Sequence, residues 1–168
     1  MAKKKPGQVP KRRRSALPDL PDPRMMEDTV RQLGGGADEN TPLAQAHAIL
    51  LHAYQEHNEK QRVKLAKQAL DLCSDCADAF VLLAEHAPSR KDALELYEKG
   101  VQAGERAIGA AAFQQAVGHF WGILETRPYM RARLGLAHSL WTSGRRDEAI
   151  QHLQEMLRLN PGMKWEGK

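Results

Sequence analysis

Between Tyr129 and Pro161 the apolar residues recur every three or four positions in two stretches of nearly equal length, with Gly144 between them. That spacing gathers them on one stripe of a helix, so the segment predicts two amphipathic helices folded back on each other across a tight turn. Ala137 and Ala149 fall where the two helices would cross closely, and Pro161 closes the unit. A helix–turn–helix unit with this pattern and a length of about 34 residues is the signature of a tetratricopeptide repeat.

Two weaker units precede it. Thr41-Pro42 supplies an N-cap and a proline at the first helical position. The helix behind it is predicted to run to about Glu56, with Ala46, Ile49, Leu50, Ala53 and Tyr54 on one face. His57-Asn58 forms the turn, and a second helix carries Val63, Leu65, Ala66, Ala69, Leu70 and Leu72. A unit starting near Leu43 puts Leu50 and Ala66 on the packing positions of a degenerate repeat.

The next pair is Ala77 to Ala87 and Lys91 to Ala103, divided by Pro88 and by a capping box from Ser89 to Asp92. Gly104 and Gly109 then bound an irregular segment. From Ala110 to Glu125 a further helix is expected to interrupt the array, with Phe113, Val117, Phe120, Trp121 and Leu124 along one side. In the last helix Ala149, Leu153 and Met156 face the partner helix, while Ile150, Leu157 and Leu159 point elsewhere. A solenoid normally ends on a polar face. This apolar end is therefore expected to be covered by another chain, a second copy included, or by repeats that this chain has lost.

The N-terminal region is of another kind. Residues 1–18 hold Lys3, Lys4, Lys5, Lys11, Arg12, Arg13 and Arg14 and no acid, so the other 150 of the 168 residues carry 18 basic and 21 acidic groups, a net of −3. The overall charge of +4 belongs to this tail. Rich in proline and poor in apolar groups, it is expected to be disordered. Asp22-Pro23 caps a short helix at 24–33 through Met25, Met26, Val30 and Leu33, and Gly34 to Gly36 end it. The expected organisation is a basic tail and linker over 1–40, an all-α helical-repeat domain over 41–161, and a short tail over 162–168. No apolar run reaches the roughly 18 residues that cross a bilayer, and no apolar segment follows the charged start. The expectation is a cytoplasmic protein without a membrane span.

Catalytic chemistry finds little support. Cys73-x-x-Cys76 is half of a zinc site with no second pair at suitable spacing, and it spans a helix junction where a redox pair would follow a strand. Two small thiols at a tight helix crossing is the simpler reading. The seven histidines are scattered, with no H-E-x-x-H pattern. The triple glycine lacks the strand and the Lys-Ser/Thr of a phosphate loop, and no serine sits on a strand-to-helix elbow. Trp121 with Phe120, and Trp141, read as interhelix packing. No cofactor, metal or catalytic residue is expected.

The segments A-L-D-L-C-S-D-C-A-D-A-F-V-L-L-A-E-H-A (69–87), D-A-L-E-L-Y-E-K-G-V-Q-A-G-E (92–105) and R-A-R-L-G-L-A-H-S-L-W-T-S-G-R-R-D-E-A-I (131–150) resemble the tetratricopeptide-like region of the suppressor-of-tumorigenicity-seven family. G-H-F-W-G-I-L-E-T-R-P-Y-M-R-A-R (118–133), with the basic tail, is similar to the soluble bacterial relatives of that family. The resemblance implies a helical-repeat interaction protein without assigned catalytic residues. The eukaryotic members are membrane-associated, and the bacterial relatives continue beyond Asn160-Pro161, where this chain diverges.

The expected function is protein–protein interaction, as an adaptor or scaffold that holds a protein or peptide in a concave groove. Projecting the first helix of each pair onto that groove nominates His47, Tyr54, Gln55, Asp78, Glu85, Arg131, His138 and Thr142. The alternative is a nucleic-acid- or ribosome-associated protein. Its contacts would be the tail cations Lys3, Lys4, Lys5, Lys11, Arg12, Arg13 and Arg14, which suit phosphates without base readout.

Overall fold

Four of the described helices start where a short polar side chain takes up free backbone donors. In a computed structural model, which describes residues 22–33 and 40–162, helices α1 (Pro23–Leu33), α2 (Pro42–Gln55), α3 (Glu59–Leu72), α4 (Ala77–Glu85) and α5 (Arg90–Ile108) come first. Then follow α6 (Ala110–Ala116), two single-turn 3₁₀ helices (Phe120–Gly122 and Leu124–Thr126), α7 (Arg127–Thr142) and α8 (Arg146–Leu159). There is no strand among the described residues. The basic residues of 3–14, the Gly34 to Gly36 run and Trp165 lie outside those residues.

Thr41 accepts from the Ala44 N–H at 3.2 Å ahead of Pro42. Asn58 accepts from Lys60 and Gln61 at 3.0 and 3.3 Å, and Ser89 from Asp92 at 3.1 Å. Asp22 does the same for α1, accepting from the Arg24 N–H at 3.0 Å. These bonds satisfy donors that a helix cannot satisfy internally. At the other end of α7, Gly144 adopts φ +84°, and Arg145 N–H reaches back to the Leu140 carbonyl at 3.0 Å, the glycine-dependent close that turns the chain into α8.

Short turns make α2/α3, α4/α5 and α7/α8 antiparallel pairs. The pairs stack in chain order, α4 against α3 and α7, and α5 against α7. Among the described residues, half of the 24 buried apolar ones are alanines, which lets helix axes approach closely. One cluster (Ala46, Leu50, Ala53, Ala66, Ala69, Cys76, Ala79, Leu82) joins the first pair to α4. A second, with Phe120, Tyr129, Met130, Leu140 and Met156, fills the space around α7.

Several expectations are corrected here. Gly104 does not end a helix: α5 continues to Ile108, and Gly104 is buried against Tyr129 where α5 and α7 cross. The helix expected from Ala110 to Glu125 stops at Ala116. Gly118 then takes φ +96° and donates to the Leu159 carbonyl at 2.8 Å, while the Trp121 N–H bonds the Asn160 side chain at 3.1 Å. The chain from 117 to 121 thus folds over the end of α8. That is why Leu159, expected to be uncovered, has no exposure, whereas Ile150 and Leu157 remain exposed as expected. Phe113 meets Phe120 and Tyr129 edge to face at 4.8 and 5.3 Å between centroids, and Phe120 lies tilted to Tyr129 at 5.8 Å, drawing together α6, the first 3₁₀ turn and α7. Trp121 packs on this cluster as expected. Trp141 does not pack between helices: it is 48% exposed, with the Arg146 guanidinium 5.5 Å from its ring.

Candidate functional site

Five of the eight nominated groove residues come together on one face. His47 and Tyr54 stand about two turns apart on α2, Asp78 and Glu85 at the two ends of α4, and Arg131 in the first half of α7. Arg131 grips Asp78 with two parallel bonds, Nε to Oδ1 at 2.9 Å and Nη2 to Oδ2 at 2.6 Å. Asp78 is buried, in the first turn of α4, where a carboxylate also faces the positive end of the helix. Burial pulls the Arg131 guanidinium down, but Asp78 and then Glu27 outweigh it and hold it above its ordinary value, so it stays charged. Burial pushes the Tyr54 phenol well above its usual range, and its hydroxyl has no hydrogen-bond partner among the described residues.

What covers this face is α1. Arg24 lies over the Tyr54 ring, 4.3 Å from its centroid, and its guanidinium meets Glu85 at 3.1 Å. One turn on, Glu27 accepts from Arg131 at 2.8 Å and from Arg127 at 3.2 Å. Asp22, whose carboxyl burial would raise, is held below the usual carboxylate range by its bonds from Arg24. The result is two ion-pair clusters, Asp22–Arg24–Glu85 and Arg127–Glu27–Arg131–Asp78, both tied to α1 and its cap. A cavity of about 20 Å³, enough for one water, remains among Arg24, Glu27, Arg31, His47, Tyr54 and Asp78.

Gln55, His138 and Thr142 do not join the cluster. All three are exposed, and His138 and Thr142 lie about 10 and 16 Å beyond Arg131 at the helical rise of ~1.5 Å per residue. Sequence reasoning missed Arg24, Glu27 and Arg127. A signal was present: Arg24, Glu27 and Arg31 recur at helical spacing and form a charged stripe opposite Met26 and Val30.

Other chemistry is sparse. Cys76 is buried in the first core cluster and Cys73 is half-buried, both as free thiols. Burial, and then the neighbouring Asp78, pushes the Cys76 thiol up to about 12. Among the described residues no group of three or more His, Cys, Asp or Glu side chains is placed to hold a metal ion, and no helix is long and apolar enough to cross a membrane.

A 64-residue stretch is 42% identical to the suppressor of tumorigenicity 7 protein-like of Bos taurus and of Homo sapiens, and 41% identical to that of Gallus gallus. The stretch covers 38% of this chain and only 11–12% of those proteins, so the chain matches a small part of each relative. No solved structure matches the chain significantly. The model of the ST7 protein family matches residues 36–163, which takes in α2 through α8 and begins after α1. On that match across most of its length, the chain belongs to the ST7 protein family.

Proposed function

We propose that this chain is a non-enzymatic protein–protein interaction module of tetratricopeptide-like architecture. It acts as an adaptor that holds a helical segment of a partner on the face formed by α2, α4 and α7. One observation carries the reading: Tyr54, Glu85, Arg127 and Arg131, from three helices distant in sequence, converge on a single helical segment and meet it through stacking and ion pairs. Convergence of polar side chains from successive first helices is how helical-repeat arrays present a binding surface. Free cysteines in a buried or half-buried setting, and the absence of any disulfide among the described residues, suit a cytoplasmic setting.

The test is a selection of helical peptides displayed on phage against the full chain, with the binding site mapped by amide chemical shifts. Selected peptides are expected to perturb Tyr54, Glu85 and Arg131, and to bind Glu85→Lys about 10-fold more weakly, since reversing this partly exposed charge replaces an attraction with a repulsion. Peptides that bind the charge-reversed chain equally well, or that map to another face, overturn the reading.

A further inference from the structure

We infer that α1 is a tethered occupant of the α2/α4/α7 groove, and that the partner the groove takes in trans is a helix with α1's own charge pattern. That pattern is a basic residue followed one turn later by an acidic one. The inference deepens the reading of this face as a partner-binding surface and rests on it.

The first observation is the face that α1 presents. An amphipathic helix that belongs to a core buries its apolar stripe. Here the stripe is turned outward, with Met26 66% and Val30 54% exposed, while the charged side goes in. Arg24 and Glu27 keep only 11% and 14% of their side-chain surface. The helix is held by matched charges on a polar surface, which is the manner of a recognised ligand.

The second observation is what the groove offers apart from α1. Asp78 and Arg131 satisfy each other, and Tyr54 supplies a ring face. Glu85 at one end and Arg127 with Arg131 at the other leave a negative and a positive position. Each is answered by α1, Glu85 by Arg24 and the two arginines by Glu27. Register and polarity are thereby fixed. A helix laid in the opposite direction would set like charges against each other, a strongly unfavourable arrangement.

The third concerns connection. Six residues, 34–39, three of them glycine, join Leu33 to Asn40. The family match begins after α1, so the groove belongs to the matched segment and its occupant lies outside it. A short glycine-rich tether gives an effective concentration of about 1 mM. If the groove binds the free α1 sequence at about 0.1 mM, α1 fills it roughly nine-tenths of the time, and an outside helix binds about 10-fold more weakly than to an empty groove.

A fluorescein-labelled peptide of residues 22–33 tests this by anisotropy against the full chain and against the full chain carrying Arg24→Ala/Glu27→Ala. The variant is expected to bind the peptide about 10-fold more tightly than the native chain. Excess unlabelled peptide is expected to speed hydrogen exchange of the native α1 amides several-fold. Circular dichroism establishes that the variant is folded; if it is not, Arg24→Gln/Glu27→Gln takes its place. Equal affinity for both chains, with α1 exchange unchanged by peptide, overturns the inference. Should phage-selected peptides still map to Glu85 in that case, the groove reading survives alone; should they map elsewhere, both fall.

Discussion

Adding a single methyl group at Gly104 tests how this fold is held together. A Cβ built there would sit 2.8 Å from the Tyr129 Cβ and 3.0 Å from its Cα. Carbon atoms in ordinary contact stand about 3.5–4.0 Å apart, so the overlap is about 0.7 Å, and it is with backbone and the base of a side chain. No rotamer change relieves it; α5 and α7 must separate. Overpacking of this kind costs roughly 2–3 kcal/mol. Alanine favours the helix over glycine by about 1 kcal/mol, and that gain applies here because Gly104 lies inside α5. The net expectation for Gly104→Ala is a loss of about 1–2 kcal/mol, a fall in Tm of roughly 3–10 °C for a domain of this size. Gly100→Ala is the control on the same helix. Its Cβ would lie 3.1 Å from the Ala132 Cβ and 3.2 Å from that of Phe80, so the neighbouring helices need give by only a few tenths of an ångström and strain and propensity nearly cancel. Thermal and urea unfolding followed at the helical dichroism band read both. A Gly104→Ala chain as stable as the native one, or less perturbed than Gly100→Ala, would refute the close crossing of α5 and α7.

Two further outcomes are specific. The His152 imidazole is held below its ordinary value by burial and then by Arg133, so the unfolded chain binds its proton more readily. The stability it lends is complete above pH ~6.5 and is lost as pH falls through the lower folded value; Tm measured at about pH 7.5 and about pH 5.5 should fall more for the native chain than for His152→Gln, and parallel curves would contradict this. Cys76, with no exposure and its thiol raised to about 12, should resist iodoacetamide at about pH 8 while half-buried Cys73 is labelled at least 10-fold faster, by peptide mass analysis. Equal labelling rates would count against the burial of Cys76.

The helix pairs and their caps were legible because they depend on local spacing: Thr41-Pro42, Asn58, Ser89 and Gly144 each act within a few residues. What periodicity cannot carry is the identity of the covering surface. The residues 117 to 121 break from helical geometry because the end of α8, about 40 positions away, supplies better partners for Gly118 and Trp121. Gly104 reads as a breaker by composition, yet its missing side chain is what Tyr129 needs. The charged face beneath α1 was half legible. Tyr54, Asp78, Glu85 and Arg131 follow from projecting first helices onto one face. Arg24 and Glu27 did not, because the apolar stripe of α1 suggests the wrong side would be buried.

That inverted helix gives the molecule two complexions. With α1 seated, the ridge it offers to its surroundings is greasy, crested by Met26 and Val30. With α1 lifted away, the same place becomes a charged trough, acidic at Glu85 and basic at Arg127 and Arg131. If α1 is displaced as proposed, a companion drawn to one of these is indifferent to the other, and the seating of eleven residues decides between them.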